Sequence, residues 1–380
     1  MATGSHRDSP ARRVLLAGGG SAGHVFPALA VVRSLEHRVR DLEFQWLGSD
    51  RIESTIVPAA GIPFQRFDIR FAYRALSIQN LNYYRQHILP ILFGRPFLQA
   101  RSMLDAYQPG LLLATGGYVS APVIWAALDR NVPVALITLD DPPGAVNWHF
   151  APQAWRVFTA SPQIAEGFLG RCSQAKLRVC GYPAMPVSRN RVRVLRELGI
   201  DPDRRLIVAM GGSLGATPVH RAVVSFLKRA ADSPDPQWNK LALLHVAGER
   251  MQLMQSAVDS SQLPERPVQY RQVGFLEDSA SVMAAADFYI GRSGAATVGE
   301  LLQAGIPAFL IPDTQHRDRQ QFGNAHQLQI TGQGHVSANA NPDGREIMHW
   351  LERVWDAPRR EAPEPAPASL IAEELTSLWQ

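Results

Sequence analysis

Cysteine is nearly absent from this chain: Cys172 and Cys180 are the only two in 380 residues. A disulfide scaffold is thereby excluded, and the pair lacks the spacing of a zinc site. So low a cysteine content fits a reducing compartment. Lysine is scarce as well, with only Lys176, Lys228 and Lys240 among 38 basic residues. That bias toward arginine reads first as genomic composition. A net charge of +4 is too small to argue for a nucleic-acid partner, and none is expected. No apolar run reaches the ~18 residues that a membrane-spanning helix needs. The segment 1–13 lacks the apolar core of a signal peptide and reads as a disordered tail, so a cytoplasmic location is expected. Global disorder is excluded too, because 46% of the residues are hydrophobic and only 19% are charged.

From Arg13 onward, short apolar runs, glycine-rich turns and helical stretches repeat. The runs with strand character are Val14–Ala17, Phe44–Leu47, Leu111–Ala114, Val134–Ile137, Val157–Thr159, Leu206–Met210, Leu241–Val246, Tyr270–Val273, Phe288–Ile290 and Ala308–Ile311. Between them, segments such as Pro27–His37 and Ala295–Ala304 have helical periodicity. This alternation predicts an α/β protein with parallel, doubly wound sheets, whose strands are apolar because both faces are covered. Ten strands are many for one open sheet. The segments RVLLAGGGSAGH and, from Arg205, RLIVAMGGSLGA share one form: a basic residue, an apolar strand, then a glycine-rich turn. The expected architecture is therefore two Rossmann-like domains facing a cleft, over 14–165 and 166–345. Residues 346–380 are read as C-terminal helices with a Pro/Ala-rich linker.

Five turns carry candidate chemistry. Gly18-Gly19-Gly20-Ser21-Ala22-Gly23-His24 has the form of a dinucleotide fingerprint. A dehydrogenase is disfavoured, because the acid ending the next strand, Asp50, stands 27 residues beyond Gly23 where about 20 are usual. The favoured reading is a turn whose backbone approaches a substrate. His24 would then sit at a helix start, kept neutral and able to accept a proton. Gly116-Gly117-Tyr118-Val119-Ser120 is an anion-tolerant helix start. Gly211-Gly212-Ser213-Leu214-Gly215 offers N–H groups to a diphosphate but lacks the P-loop lysine. Gly291 through Glu300 is the most specific; Glu300 lies a turn and a half into a helix, where a carboxylate can accept both ribose hydroxyls. His316 through Asn324 presents adjacent Gln320 and Gln321 to sugar hydroxyls. Each turn taken alone also reads as an ordinary strand-to-helix connection or polar loop.

A sixth feature is a patch. Between Arg66 and Arg101 there are six arginines and one aspartate, interleaved with aromatic and aliphatic residues. Phe71, Arg74, Tyr84, Arg85, Phe93, Arg95 and Phe97 fit a surface that docks on an anionic bilayer. A nucleic-acid surface and a pair of core-covering helices are the alternatives.

In this order and spacing the segments GGGSAGHVFPALAV, GGYVSAP, GGSLGA, RSGAATVGEL and HRDRQQFGNA resemble the MurG family, from about Val14 to about Ala340. The resemblance implies the two-domain glycosyltransferase-B fold. It also implies transfer of N-acetylglucosamine from UDP-N-acetylglucosamine to lipid I, with inversion and without a metal or other cofactor. By the resemblance, Glu300 holds the ribose, Ser213 and Gly215 the diphosphate, and Leu276 the uracil through its backbone. Ala296 and Thr297 form the phosphate-binding helix start, and Gln320 and Gln321 contact the sugar. Gly20 through His24 form an acceptor-side loop with Gly116, Gly117 and Tyr118. Ser21 and Gly23 also count among the donor contacts, and His24 is the favoured base. The N-terminal domain would dock on the cytoplasmic face of an anionic membrane, where the polyprenyl-linked muramyl-peptide acceptor resides.

Three positions depart from the family. Ile137-Thr138-Leu139-Asp140 replaces a His-Glu-Gln-Asn run, which makes Asp140 a second candidate for the base. Met185 stands where an arginine is expected, and Leu214 where the diphosphate loop has glutamine. Loss of an arginine near a diphosphate matters, because arginine binds phosphate bidentately. A UDP-sugar transferase with another lipid or natural-product acceptor is therefore a second reading. A non-catalytic nucleotide-sugar-binding membrane protein is a third.

Overall fold

The computed structural model describes residues 12–67, 69, 94–185, 187, 190–212, 215–248, 267–314, 319–364 and 366–379. The chain divides into two compact units. Unit 1 comprises Met1–Leu139, Pro143–Pro183 and Pro365–Gln380; unit 2 comprises Asp140–Pro142 and Ala184–Glu364.

Unit 1 runs β1 (Arg13–Gly18), α1 (Ala22–Glu36), β2 (Glu43–Gly48), α2 (Glu53–Ala59), β3 (Phe64–Arg66), α3 (Arg95–Tyr107), β4 (Leu111–Gly116), α4 (Ala121–Asp129), β5 (Val134–Thr138), α5 (Ala145–Phe150), β6 (Arg156–Thr159), α6 (Pro162–Glu166) and β7 (Leu177–Val179). Its sheet is wholly parallel, in the order β3-β2-β1-β4-β5-β6-β7. The central strands are largely apolar because helices cover both faces. Leu15, Leu16, Trp46, Leu113, Leu136 and Phe158 are buried, each contributing roughly 1.5–3 kcal/mol.

Unit 2 repeats the pattern with α7 (Arg191–Glu197), β8 (Arg205–Met210), α8 (Thr217–Asp232), β9 (Leu241–Val246), β10 (Gln269–Val273), α9 (Ser279–Ala285), β11 (Phe288–Gly291), α10 (Ala295–Ala304), β12 (Ala308–Leu310), α11 (Gln320–Ile330), β13 (Gly334–Val336) and α12 (Gly344–Val354). Its parallel sheet has the order β10-β9-β8-β11-β12-β13. Phe226, Trp238, Phe288, Phe309 and Trp350 build its core. All ten expected strands form. The three the sequence did not announce, β3, β7 and β13, are three-residue edge strands that are half-exposed or more.

Three expectations change. The break between the units falls after Pro183, not at 165/166, because the chain beyond Glu166 still adds β7 to the first sheet. The segment 346–380, read as one C-terminal region, is divided: its first part stays in unit 2 with α12, and the helix α13 (Pro367–Thr376) belongs to unit 1, where it packs on α1. There Glu374 pairs with Arg156 at 2.6 Å and Arg178 at 3.3 Å. Finally, Phe97 is not part of a docking face. In α3 the residues Phe97, Ala100 and Leu104 recur at helical spacing and are all buried. Phe97 thus belongs to the core of unit 1, while Arg95 is exposed. Phe71, Arg74, Tyr84, Arg85 and Phe93 lie outside the described residues. No helix among the described residues is long and apolar enough to cross a membrane.

Candidate functional site

In each sheet the chain reverses its direction of winding once. From β1 it builds outward through β2 and β3, then returns to lay β4 on the other side of β1. In unit 2 the reversal lies between β8 and β11. Open parallel sheets bind ligands at such points, beyond the carboxyl ends of the strands. Four of the five candidate turns stand there.

In unit 1 the turns after β1 and β4 touch. Gly18 pairs with Gly116 across an irregularity in the strand register. A Cβ on Gly18 would lie 2.0 Å from Thr115 Oγ1, so only glycine fits. Gly117 has φ +74°, and a Cβ there would meet the Gly19 carbonyl at 3.0 Å and His24 Cδ2 at 3.3 Å. The Tyr118 ring lies against Gly20. Thr115 secures His24 from two sides. Its hydroxyl donates to the His24 carbonyl at 2.6 Å, and its carbonyl lies 3.0 Å from His24 Nδ1. A carbonyl only accepts, so Nδ1 carries a proton and, in the neutral ring, Nε2 is the acceptor. Ser21 caps α1 with its backbone alone, and no acid occupies the first turn. The helix start therefore keeps its affinity for an anion.

One residue at this turn escaped the sequence reading. The acid at this turn is not Asp50, which is exposed and pairs with Arg66 at 3.2 Å. It is Glu53, fully buried at the start of α2, which accepts a hydrogen bond from Gly20 N at 2.9 Å. Its distance along the chain from the glycines matches no known fingerprint, and its neighbours Arg51, Ile52, Ser54 and Thr55 give no signal that it turns inward.

In unit 2 the first turn is equally tight. A Cβ on Gly211 would lie 2.3 Å from Ala216 N, and Gly215 adopts φ +79°. Ser213 and Leu214 lie outside the described residues. After β11, a Cβ on Gly291 would lie 2.1 Å from the Met210 carbonyl, so β8 and β11 approach as closely as two backbones can. Neither α8 nor α10 has a side-chain cap or an acid in its first turn. Ala296 and Thr297 belong to that open first turn of α10. Glu300 follows within the same helix, with Oε1 accepting from Ser279 Oγ at 2.6 Å. Burial pushes its carboxyl up to about 7 and the nearby Asp278 charge adds to this, against the pull of the Ser279 hydroxyl. Leu276 is buried just ahead of Ser279.

The remaining candidates cluster at the start of α11. Ser293 Oγ donates to the Gln321 carbonyl at 2.6 Å, and Gln321 Oε1 accepts from Asp313 N at 2.9 Å. The Gln321 side chain is thus fixed with its amide donors to spare. Gln320 Nε2 donates to the Pro142 carbonyl at 3.3 Å. Buried Asn324 donates to Asp140 Oδ1 and accepts from Asp141 N, both at 3.1 Å. Asp140 accordingly presents a carboxylate steadied by an amide. The structure thus gathers Gly20, Ser21, Gly23, His24, Gly116, Gly117 and Tyr118 in unit 1. It gathers Asp140, Gly215, Leu276, Ala296, Thr297, Glu300, Gln320 and Gln321 in unit 2. Among the described residues no group of three or more His, Cys, Asp or Glu is placed to hold a metal ion.

Comparison with known proteins matches both halves of the chain to one family. The glycosyltransferase family 28 N-terminal domain matches residues 14–137, and the family's C-terminal domain matches 206–375. The chain is 32% identical over 325 residues, 84% of each chain, to a Lacticaseibacillus casei protein. It is 28% identical over 352 residues, 92% of each chain, to one from Halalkalibacterium halodurans. Both relatives are named UDP-N-acetylglucosamine--N-acetylmuramyl-(pentapeptide) pyrophosphoryl-undecaprenol N-acetylglucosamine transferase. Among solved structures, Acinetobacter baumannii MurG superposes with a TM-score of 0.66 at 22% identity, covering 96% of this chain and 99% of that one. The calicheamicin glycosyltransferase CalG4 does so with 0.61 at 15% identity, covering 97% and 98%.

Proposed function

The chain belongs to glycosyltransferase family 28, and on that premise we propose that it transfers N-acetylglucosamine from UDP-N-acetylglucosamine to lipid I, forming lipid II. The sugar C1 is attacked, with inversion, by the 4-hydroxyl of the acceptor's muramyl residue. His24 Nε2 takes the hydroxyl proton as the new C1–O bond forms. The bond from C1 to the diphosphate breaks, and UDP leaves with the electron pair. The open starts of α8 and α10 stabilise the charge on the leaving diphosphate through their N–H groups and dipoles. Glu300 takes the ribose hydroxyls, the backbone at Leu276 the uracil, and Gln320 and Gln321 the sugar. Gly20 through Gly23, with Gly116, Gly117 and Tyr118, face the acceptor.

The observation that carries this reading is the state of His24. Its Nδ1 is committed to a backbone carbonyl and its Nε2 is left as acceptor, at the reversal point of the sheet. Docking on an anionic membrane through Phe71, Arg74, Tyr84, Arg85, Phe93 and exposed Arg95 completes the proposal, since the acceptor's polyprenyl chain stays in the bilayer. The carboxylate of Asp140 and the side chain of Met185, where the family carries Asn and Arg, favour a second reading in which the acceptor differs.

Incubation with labelled UDP-N-acetylglucosamine, with and without a lipid I analogue, separates these readings. Labelled product that requires the analogue supports the first. Transfer to another lipid or natural-product acceptor alone supports the second. Donor binding without transfer to any acceptor overturns both.

A further inference from the structure

We infer that Glu53 is a positioning residue for the transfer reaction: its buried carboxylate holds the Gly19–Gly20 turn in the form that presents His24. The inference rests on the reading of His24 as the base.

Glu53 is 0% exposed and forms no ion pair among the described residues. A carboxylate buried without a cation is costly unless hydrogen bonds satisfy it. Here they come from two opposite sides. Oε2 accepts from Gly20 N at 2.9 Å. Oε1 accepts from Ser49 N at 3.1 Å and from Ser49 Oγ at 2.5 Å. The glycine turn lies directly on this carboxylate, since a Cβ on Gly19 would fall 2.3 Å from Oε1 and 2.4 Å from Cδ. Trp46 Nε1 adds a further restraint, donating to the Gly18 carbonyl at 3.0 Å. The turn is thus held from the β2 side by Glu53 and Trp46, and from the β4 side by Thr115, whose two bonds fix His24.

The choice of side chain is informative. Only a carboxylate accepts at both ends. An amide in the same place must turn its NH₂ toward either Gly20 N–H or Ser49 N–H, so that two donors face each other. The Gly20 N–H is also withdrawn from any ligand. The donors left for an acceptor anion are those of Ala22 and Gly23 at the start of α1, just ahead of His24 in the chain. The acid that faces this turn, Glu53 at the start of α2, thus points inward and shapes the loop, whereas dinucleotide folds use the acid ending the second strand to hold a ribose.

The test compares Glu53→Gln with Ser49→Ala and His24→Ala. Each is assayed for kcat, for KM of donor and acceptor, for UDP affinity by calorimetry, and for thermal stability. Misplacement of a reacting group by about 1 Å costs about 10²-fold, so Glu53→Gln should lower kcat by about that factor. UDP affinity and donor KM, which belong to unit 2, should not move. Ser49→Ala loses the hydroxyl bond to the same carboxylate but leaves those from Ser49 N and Gly20 N; it should lower the melting temperature and leave kcat within about threefold. Should Glu53→Gln not fold, Glu53→Asp, with the carboxylate drawn back by one methylene, should still lower kcat at least about tenfold. The inference is overturned if a folded Glu53 variant keeps the parent kcat while His24→Ala loses it. It is equally overturned if Ser49→Ala loses as much kcat as Glu53→Gln. Full turnover by His24→Ala instead removes the base reading on which it rests.

Discussion

If Glu300 takes the donor's ribose hydroxyls as proposed, it should do so at a cost to the folded protein. Its carboxyl is raised from 4.5 to about 7, chiefly by burial, with only the Ser279 hydroxyl to offset it. A carboxyl raised in the folded state binds its proton more tightly there than in the unfolded chain. Stability therefore falls as pH rises from the unfolded value of 4.5 to the folded value of about 7, and the loss is complete above that. That difference corresponds to about 3 kcal/mol. Glu300→Gln removes the charge and keeps the shape, so at about pH 8 the variant should be the more stable protein by up to that amount. At about pH 4.5, where both chains carry a neutral group, the advantage should vanish. Donor affinity should move the other way. Replacing a carboxylate by an amide forfeits at least one charge-assisted hydrogen bond, worth about 1.5–3 kcal/mol, or about a tenfold to a hundredfold loss of affinity. In the parent protein the affinity should also weaken below about pH 7 as Glu300 takes up its proton, and the variant should show no such limb. Calorimetric titration should use UDP-N-acetylglucosamine rather than UDP, whose terminal phosphate titrates in the same range. A variant less stable than the parent at about pH 8, or a parent affinity flat from about pH 6 to about pH 8, would refute the reasoning.

His24→Ala should lower turnover by about 10²–10⁴-fold and leave UDP affinity unchanged; unaltered turnover in a steady-state assay removes His24 from the mechanism. His245 is buried, stacks on buried His220 at 5.2 Å and has its pKa pushed down to about 3 by burial and by the His220 charge. Its stabilising share is complete above the unfolded histidine value near 6.5 and is lost as pH falls below it, by about 2 kcal/mol at about pH 5. Thermal melts of the parent should therefore fall more steeply with acid than those of His245→Gln, and equal slopes would count against the assignment. Gly291→Ala places a methyl 2.1 Å from the Met210 carbonyl, so chemical denaturation should report a loss of about 1–3 kcal/mol; an unchanged midpoint would mean that β8 and β11 are not held so close.

Strands and turns were legible in the sequence for a physical reason. A parallel strand covered on both faces is apolar at nearly every position, so Leu111–Gly116 and Leu241–Val246 stand out in the sequence as they do in the sheets, with Thr115 and His245 the polar exceptions. Edge strands obey no such rule. Gly334–Val336 is half-exposed along its whole length and gave no signal. The site was legible where the backbone itself is the recognition element. A helix start that binds an anion needs glycine at the approach and no acid in the first turn, and both conditions can be read from consecutive residues. Side chains that reach the site from elsewhere obey no local pattern. The hydrogen bond from Gly20 to Glu53 spans 33 residues, and that between His24 and Thr115 spans 91. Neither pairing leaves a trace in spacing, because both are set by which strands lie side by side. The same limit explains Phe97. Aromatic and basic residues interleave alike on a membrane face and on a helix that covers a core. Only the buried stripe of Phe97, Ala100 and Leu104 shows that, in this helix, the aromatic faces inward and the exposed Arg95 outward.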